Sequence, residues 1–230
     1  MNVEVVFLPP IATGLESKLC IVIDVLRATS TLVAMFEAGA RKVVLAESIP
    51  EALQYADSQV ERPLVCGESG GLRPPGFDFG NSPREFPPGC LEGKSVAFCT
   101  SNGTKAMRRV GTAPVVMTGS LLNGTAAARA AVREARSRGL DIALICSGDR
   151  LGTRFAIDDA FCAGHLLTLI RREAARAAES RTRPMEVEGV ARLSEDKAGD
   201  HIRLEESVTA ALRLYHSYGA EGGRAGEGAT

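Results

Sequence analysis

Leu19-Cys20-Ile21-Val22-Ile23-Asp24-Val25-Leu26-Arg27-Ala28-Thr29-Ser30-Thr31 is an apolar run that stops at a carboxylate, an arginine and three hydroxyls. Apolar residues without alternation read as a strand covered on both faces. Leu32, Val33, Met35 and Phe36 then recur at helical spacing, so the polar cluster sits in a strand-to-helix turn. In such a turn the free N–H groups and the positive dipole end of the helix favour an anion. Asp24 is placed to hold a cation, and Arg27 with Thr29, Ser30 and Thr31 to hold an anion. The same residues can equally end a strand and cap a helix.

Outward from this unit the chain alternates. Arg41 to Glu47, Pro63 to Cys66, Ser95 to Cys99, Pro114 to Thr118 and Leu140 to Cys146 read as further strands. Ser48-Ile49-Pro50-Glu51 is a capping box that opens a helix. Other helical segments are Thr104 to Val110, Asn123 to Arg138, Asp158 to Glu179 and an amphipathic Arg203 to Tyr218. The alternation predicts one α/β domain over residues 1–218, a three-layer α/β/α sandwich with a mostly parallel central sheet. Arg181 to Asp200 shows no pattern, and the glycine-rich Gly219 to Thr230 is expected to be a disordered tail.

Ligands of such sheets bind outside the carboxyl ends of the strands. Four strand exits are polar in the same way: Asp24 to Thr31, Gly67-Glu68-Ser69-Gly70-Gly71, Thr100-Ser101-Asn102-Gly103-Thr104, and Ser147 to Arg154. A fifth, Gly119 to Thr125, repeats the Asn-Gly-Thr of 102–104 and reads better as a turn and cap. Ser101, Asn102, Gly103, Thr104, Arg150 and Arg154 are therefore candidate anion contacts. The segment Gly67 to Cys90 holds six glycines and five prolines, yet Leu72, Phe77, Phe79 and Phe86 give it apolar anchors, so an ordered functional loop is expected. Within it Asp78 and Asn81 can either fasten the loop or touch a ligand. The acidic pair Asp158-Asp159 opens a long helix, where one member serves as a cap and the other is free to face the sheet's end. Asp24, Glu68 and one of that pair would form an oxygen-only site, a composition that suits Mg²⁺ sharing its sphere with a phosphate.

Composition narrows the partners. The 230 residues include 27 basic and 28 acidic side chains, without a basic run interleaved with aromatics, so a small anionic molecule is expected and not a nucleic acid. No run reaches membrane-span length, and a cytoplasmic protein is expected, with a homo-oligomer left open. Six scattered cysteines read as reduced core thiols. Gly67-Glu68-Ser69-Gly70-Gly71 matches G-x-S-x-G, but Pro74 and Pro75 deny it the helix of a nucleophile elbow. The P-loop and cysteine-phosphatase signatures are absent from the sequence, and the three histidines suggest no triad. What survives is metal-assisted chemistry on an anionic small molecule.

Asp24-Val25-Leu26-Arg27-Ala28-Thr29-Ser30-Thr31, Gly67-Glu68, Gly76-Phe77-Asp78-Phe79-Gly80-Asn81-Ser82-Pro83, Thr100 to Thr104 and Phe155-Ala156-Ile157-Asp158-Asp159 follow one another in an order that resembles the 2-phosphosulfolactate phosphatase family. The resemblance spans about residues 1–180. It implies an α/β/α domain and Mg²⁺-dependent hydrolysis of 2-phospho-3-sulfolactate, a step of coenzyme M synthesis. On that reading Asp24, Glu68 and Asp159 hold the metal, and Arg27 with the N–H groups near Thr29 to Thr31 binds the phosphoryl group. Where the family usually has arginine after Gly-Glu, this chain has Ser69. Another 2-phospho carboxylate as substrate, or a noncatalytic anion-binding role, are the alternatives.

Overall fold

Both parities of the central strands are buried, and each parity faces a different core. The computed structural model describes residues 1–182 and 206–222. Its strands are β1 (Val3–Val6), β2 (Lys18–Ile23), β3 (Lys42–Ala46), β4 (Leu64–Gly67), β5 (Ser95–Cys99), β6 (Val115–Gly119) and β7 (Asp141–Cys146). Its helices are α1 (Ala28–Glu37), α2 (Ile49–Ser58), α3 (Gly103–Arg109), α4 (Gly124–Arg138), α5 (Ile157–Thr182) and α6 (Glu206–Gly222). Leu19, Ile21 and Ile23 of β2 pack with Ile142 and Leu144 of β7 against α4, α5 and α6. Cys20 and Val22, with Ala143 and Ile145, point the other way and join α1, α3 and the β5 residues Val96 and Phe98. The opposite parity of β5, Ala97 and Cys99, meets Ala52 and Ala56 of α2. Helices thus cover both faces of parallel strands, as the three-layer α/β/α expectation requires.

Every strand pair is parallel, but the strands divide into two ladders, β1-β7-β2-β6 and β3-β5-β4. The expected single central sheet is therefore split. Apolar runs specify burial on two faces and say nothing of which strand a neighbour chooses. Strand β1 was not legible because Val3-Glu4-Val5-Val6 is too short to show a period; its place beside β7 is fixed by register and by Asn2, whose main-chain N–H donates to Asp141 Oδ1 at 2.6 Å.

The capping box forms with one change of partner. Ser48 Oγ accepts the Glu51 N–H at 3.3 Å, while Glu51 Oε2 accepts the N–H of Glu47 instead of that of Ser48. A Ser48→Ala variant is expected to lose about 1 kcal/mol of stability, read from the urea midpoint.

The loop after β4 is ordered along that strand's outer edge. Asp78 N and Phe79 N both donate to Val65 O, at 2.7 and 3.2 Å, and Gly67 N donates to Phe79 O at 3.2 Å. Asp78 Oδ2 also accepts Val65 N at 2.7 Å, so Asp78 fastens the loop. Phe77 and Phe86 are buried as expected, whereas Leu72 is 76% exposed and anchors nothing. All six cysteines are free thiols, five of them buried. His165 packs against α6 through Tyr215, with its Nδ1 3.2 Å from the phenol oxygen. Residues 223–230 of the expected tail, and 183–200 of the patternless stretch, lie outside the described residues. Among the described residues no helix is long and apolar enough to cross a membrane.

Candidate active site

Four strand exits are tied into a closed ring at the carboxyl ends of both ladders. Glu68, after β4, reaches the β5 exit: Oε1 accepts Ser101 N at 2.7 Å, and Oε2 accepts Ser101 Oγ at 3.1 Å. Asn102 Oδ1 then accepts the N–H of Leu151 in the β7 exit at 2.9 Å. Asp159, at the start of α5, closes on β2, its Oδ1 accepting Val25 N at 3.0 Å. Arg27 completes the circuit by donating to Gly71 O at 3.2 Å. The fifth exit stays out. Asn123 Oδ1 accepts Ser120 N, and its amide donates to Thr118 O, which is the local turn the sequence suggested.

Asp24 is the innermost member. Its Oδ1 accepts the Ala28 N–H at 3.1 Å, so the anion received by the start of α1 is this carboxylate. Two of the first-turn donors are taken by the strand exit: Thr29 N donates to Asp24 O and Thr31 N to Arg27 O, both at 2.9 Å. Of the N–H groups expected to receive a phosphate, those of Thr29 and Thr31 are thus already bound within the turn. The hydroxyls are similarly turned inward, Thr29 Oγ1 donating to Asp24 O and Ser30 Oγ to Val25 O, both at 2.8 Å. Thr31 is fully buried and its hydroxyl has no partner among the described residues. Thr104 Oγ1 donates to Thr100 O at 3.0 Å and braces the β5 exit. Gly103 is required by proximity: a Cβ there would lie 2.6 Å from Asp24 Oδ2.

A cavity of about 310 Å³ opens beside Asp24, lined by Asn102, Ser147, Arg154, Asp158 and Asp159 among others. Asp159 is anchored by three donors, since Oδ2 also accepts Ser147 Oγ and Gly148 N, each at 3.1 Å. Asp158 is half-buried. Glu68 is likewise anchored by three donors, Gly71 N being the third at 2.8 Å, and it does not line this cavity. Among the described residues no three His, Cys, Asp or Glu side chains gather closely enough to chelate a metal on their own. Arg150 is exposed, and Ser69 lies exposed in a tight turn with Leu72.

Burial pushes the Asp24 carboxyl up from 3.8 to about 6, with the Ala28 N–H and Ser147 opposing and the charges of Asp158 and Glu68 adding. Burial first, and the Asp24 charge second, push Asp159 up to about 7. Two carboxylates that resist ionisation beside one cavity make a site that gains from a cation. Ser147, which serves this pair, was visible in the sequence only as the first polar residue after the β7 run.

The profile of a family described as 2-phosphosulpholactate phosphatase matches residues 10–220. Proteins named "Probable 2-phosphosulfolactate phosphatase" are among the similar relatives. The one from Carboxydothermus hydrogenoformans is 35% identical over 170 residues, 74% of this chain and 68% of the relative. That from Thermus thermophilus is 42% identical over 147 residues, 64% of this chain and 59% of the relative. That from Thermotoga petrophila is 36% identical over 181 residues, 77% of this chain and 74% of the relative. The ring of exits at Asp24, Glu68, Ser101 and Asp159 is built from the segments that carried the resemblance, and the chain belongs to the 2-phosphosulpholactate phosphatase family.

Proposed function

We propose that this chain is a Mg²⁺-dependent phosphatase that hydrolyses 2-phospho-3-sulfolactate to 3-sulfolactate and phosphate, a step of coenzyme M synthesis. The observation that carries the reading is the pair of buried carboxylates, Asp24 and Asp159, at one cavity with Arg154 in its wall. Relatives of this chain bear the name of that activity.

The cavity's oxygen donors suit a hard cation. With too few carboxylates for a complete protein cage, the ion would keep waters and take substrate oxygens, which is the habit of Mg²⁺. Asp24 and Asp159 would hold it, with waters completing its sphere; when bound it would supply charge neutralisation for the phosphoryl oxygens. Asp24 Oδ2 faces the Gly103 side, where only a hydrogen leaves room for another atom. Arg154 meets the phosphoryl group from the opposite charge class. Arg27, bound to Gly71 O, and Glu68, bound to Ser101, hold two exits in register so that Asn102 stays at the cavity wall.

The experiment is phosphate release from 2-phospho-3-sulfolactate, phospholactate and phosphoglycolate, each with Mg²⁺ and with EDTA. The expected result is turnover that EDTA abolishes, with at least about a tenfold preference in kcat/KM for the sulfonate, the scale of one charged contact. Activity confined to the other two substrates would move the substrate assignment. Absence of turnover on all three would leave an anion-binding protein.

A further inference from the structure

A second cavity adjoins the acidic one and carries the opposite charge. It holds about 370 Å³ and shares two of its wall residues, Asn102 and Ser147, with the first. Its other charged walls are Lys105, Arg108, Arg109 and Glu47. Arg108 is already neutralised, donating to Glu47 at 3.1 Å and to Glu51 at 3.2 Å. Lys105 is half-buried, and neither it nor Arg109 has an ion pair or side-chain hydrogen bond among the described residues. An ammonium on a cavity wall without a carboxylate partner is free to pair with an anion that enters. Asn102 stands at the divide. Its Oδ1 is taken by Leu151 N, which turns its amide N–H₂ to donor duty with no protein acceptor among the described residues.

We infer that the Lys105 cavity is the subsite for the substrate's sulfonate, one of its two anionic groups that are not hydrolysed, and that Lys105 is its specificity-determining cation. The inference rests on the reading above, in which the phosphoryl group occupies the Asp24 cavity. A molecule carrying a phosphate ester and a strong-acid group a few bonds apart would then bridge the two cavities across Asn102. The phosphoryl end would sit at the Asp24 and Asp159 carboxylates, where a bound cation would offset the like charges, and the sulfonate end would meet Lys105 directly. A phosphate ester that lacks the sulfonate fills only the first cavity and forgoes this contact.

The test is direct binding, which needs no turnover. Calorimetric titration of the wild type with 3-sulfolactate and with lactate is compared with the same pair of titrations on Lys105→Gln and Lys105→Arg. The wild type is expected to prefer 3-sulfolactate. Lys105→Gln should lower that preference by about tenfold or more, and Lys105→Arg should keep most of it. Thermal melts of the three proteins confirm that each is folded. An unchanged preference in Lys105→Gln, or no preference in the wild type, overturns the inference. Phosphate release by the wild type, measured separately, scores the proposed function, so the two failures are told apart.

Discussion

Replacing Asp24 by asparagine is expected to cut phosphatase turnover about 10³-fold or more while making the protein harder to unfold at pH 8 in EDTA. The two effects have one cause. Asp24 is 7% exposed, and burial raises its carboxyl from 3.8 to about 6. The folded state therefore holds the proton more tightly than the unfolded chain does, so ionisation works against folding. That penalty is absent below the unfolded value, grows as pH rises through the interval, and is complete above the folded value. It amounts to roughly 3 kcal/mol at pH 8. Asparagine can keep an oxygen on the Ala28 N–H and places no charge in the interior. After allowance for burying its amide, a gain of about 1–3 kcal/mol remains, or roughly 3–8 °C in Tm. At pH 4 the two proteins should melt within a degree or two of each other, about the scale of a neutral exchange. A variant that loses activity and is destabilised at pH 8 would mean that Asp24 is a structural residue.

The second large effect falls on Gly67→Ala. Gly67 is paired with Cys99 across the β4–β5 ladder at φ +141°, and an added methyl group would collide with the Cys99 carbonyl oxygen. That same oxygen accepts the N–H of Glu68 at 2.9 Å, so relieving the collision displaces Glu68 and loosens its hold on Ser101. The expected cost is about 3 kcal/mol or more, combining steric overlap with an unfavourable backbone region. Gly89→Ala is the control. It also has positive φ, +80°, but its Cβ would enter open space, and about 1 kcal/mol is expected. Equilibrium unfolding in urea distinguishes them; similar costs for both would mean that the Cys99 contact relaxes freely.

Much of the site was legible because parallel strands deliver their exits to one end. Asp24, Glu68, Ser101 and Asp159 could be nominated from apolar runs that stop at polar residues, and the ring contains all of them. What sequence could not show is which donors each group would meet. Thr29 and Ser30 read as ligand hydroxyls, yet both close hydrogen bonds on their own strand exit, because a hydroxyl at the start of a helix finds the preceding carbonyls within reach. Glu68 read as a metal ligand, and its three donors, Gly71 N, Ser101 N and Ser101 Oγ, were not legible. Lys105 gives no sequence signal, since an isolated lysine in a helical segment carries no pattern. The division into two ladders was equally hidden, for pairing partners are chosen by long-range packing.

The strand order also sets a timetable for synthesis. The β3-β5-β4 ladder is complete once residue 99 has been made. The other ladder has β7 between β1 and β2, so its middle strand is its last to be translated. The contact of Asn2 with Asp141 spans 139 positions of sequence. A nascent chain must therefore carry β1 and β2 without their common neighbour until β7 has been made, and pairings of such separation form slowly. Until then the β7-facing edges of β1 and β2 stay unpaired, and an unpaired edge is the part of a strand through which separate chains associate.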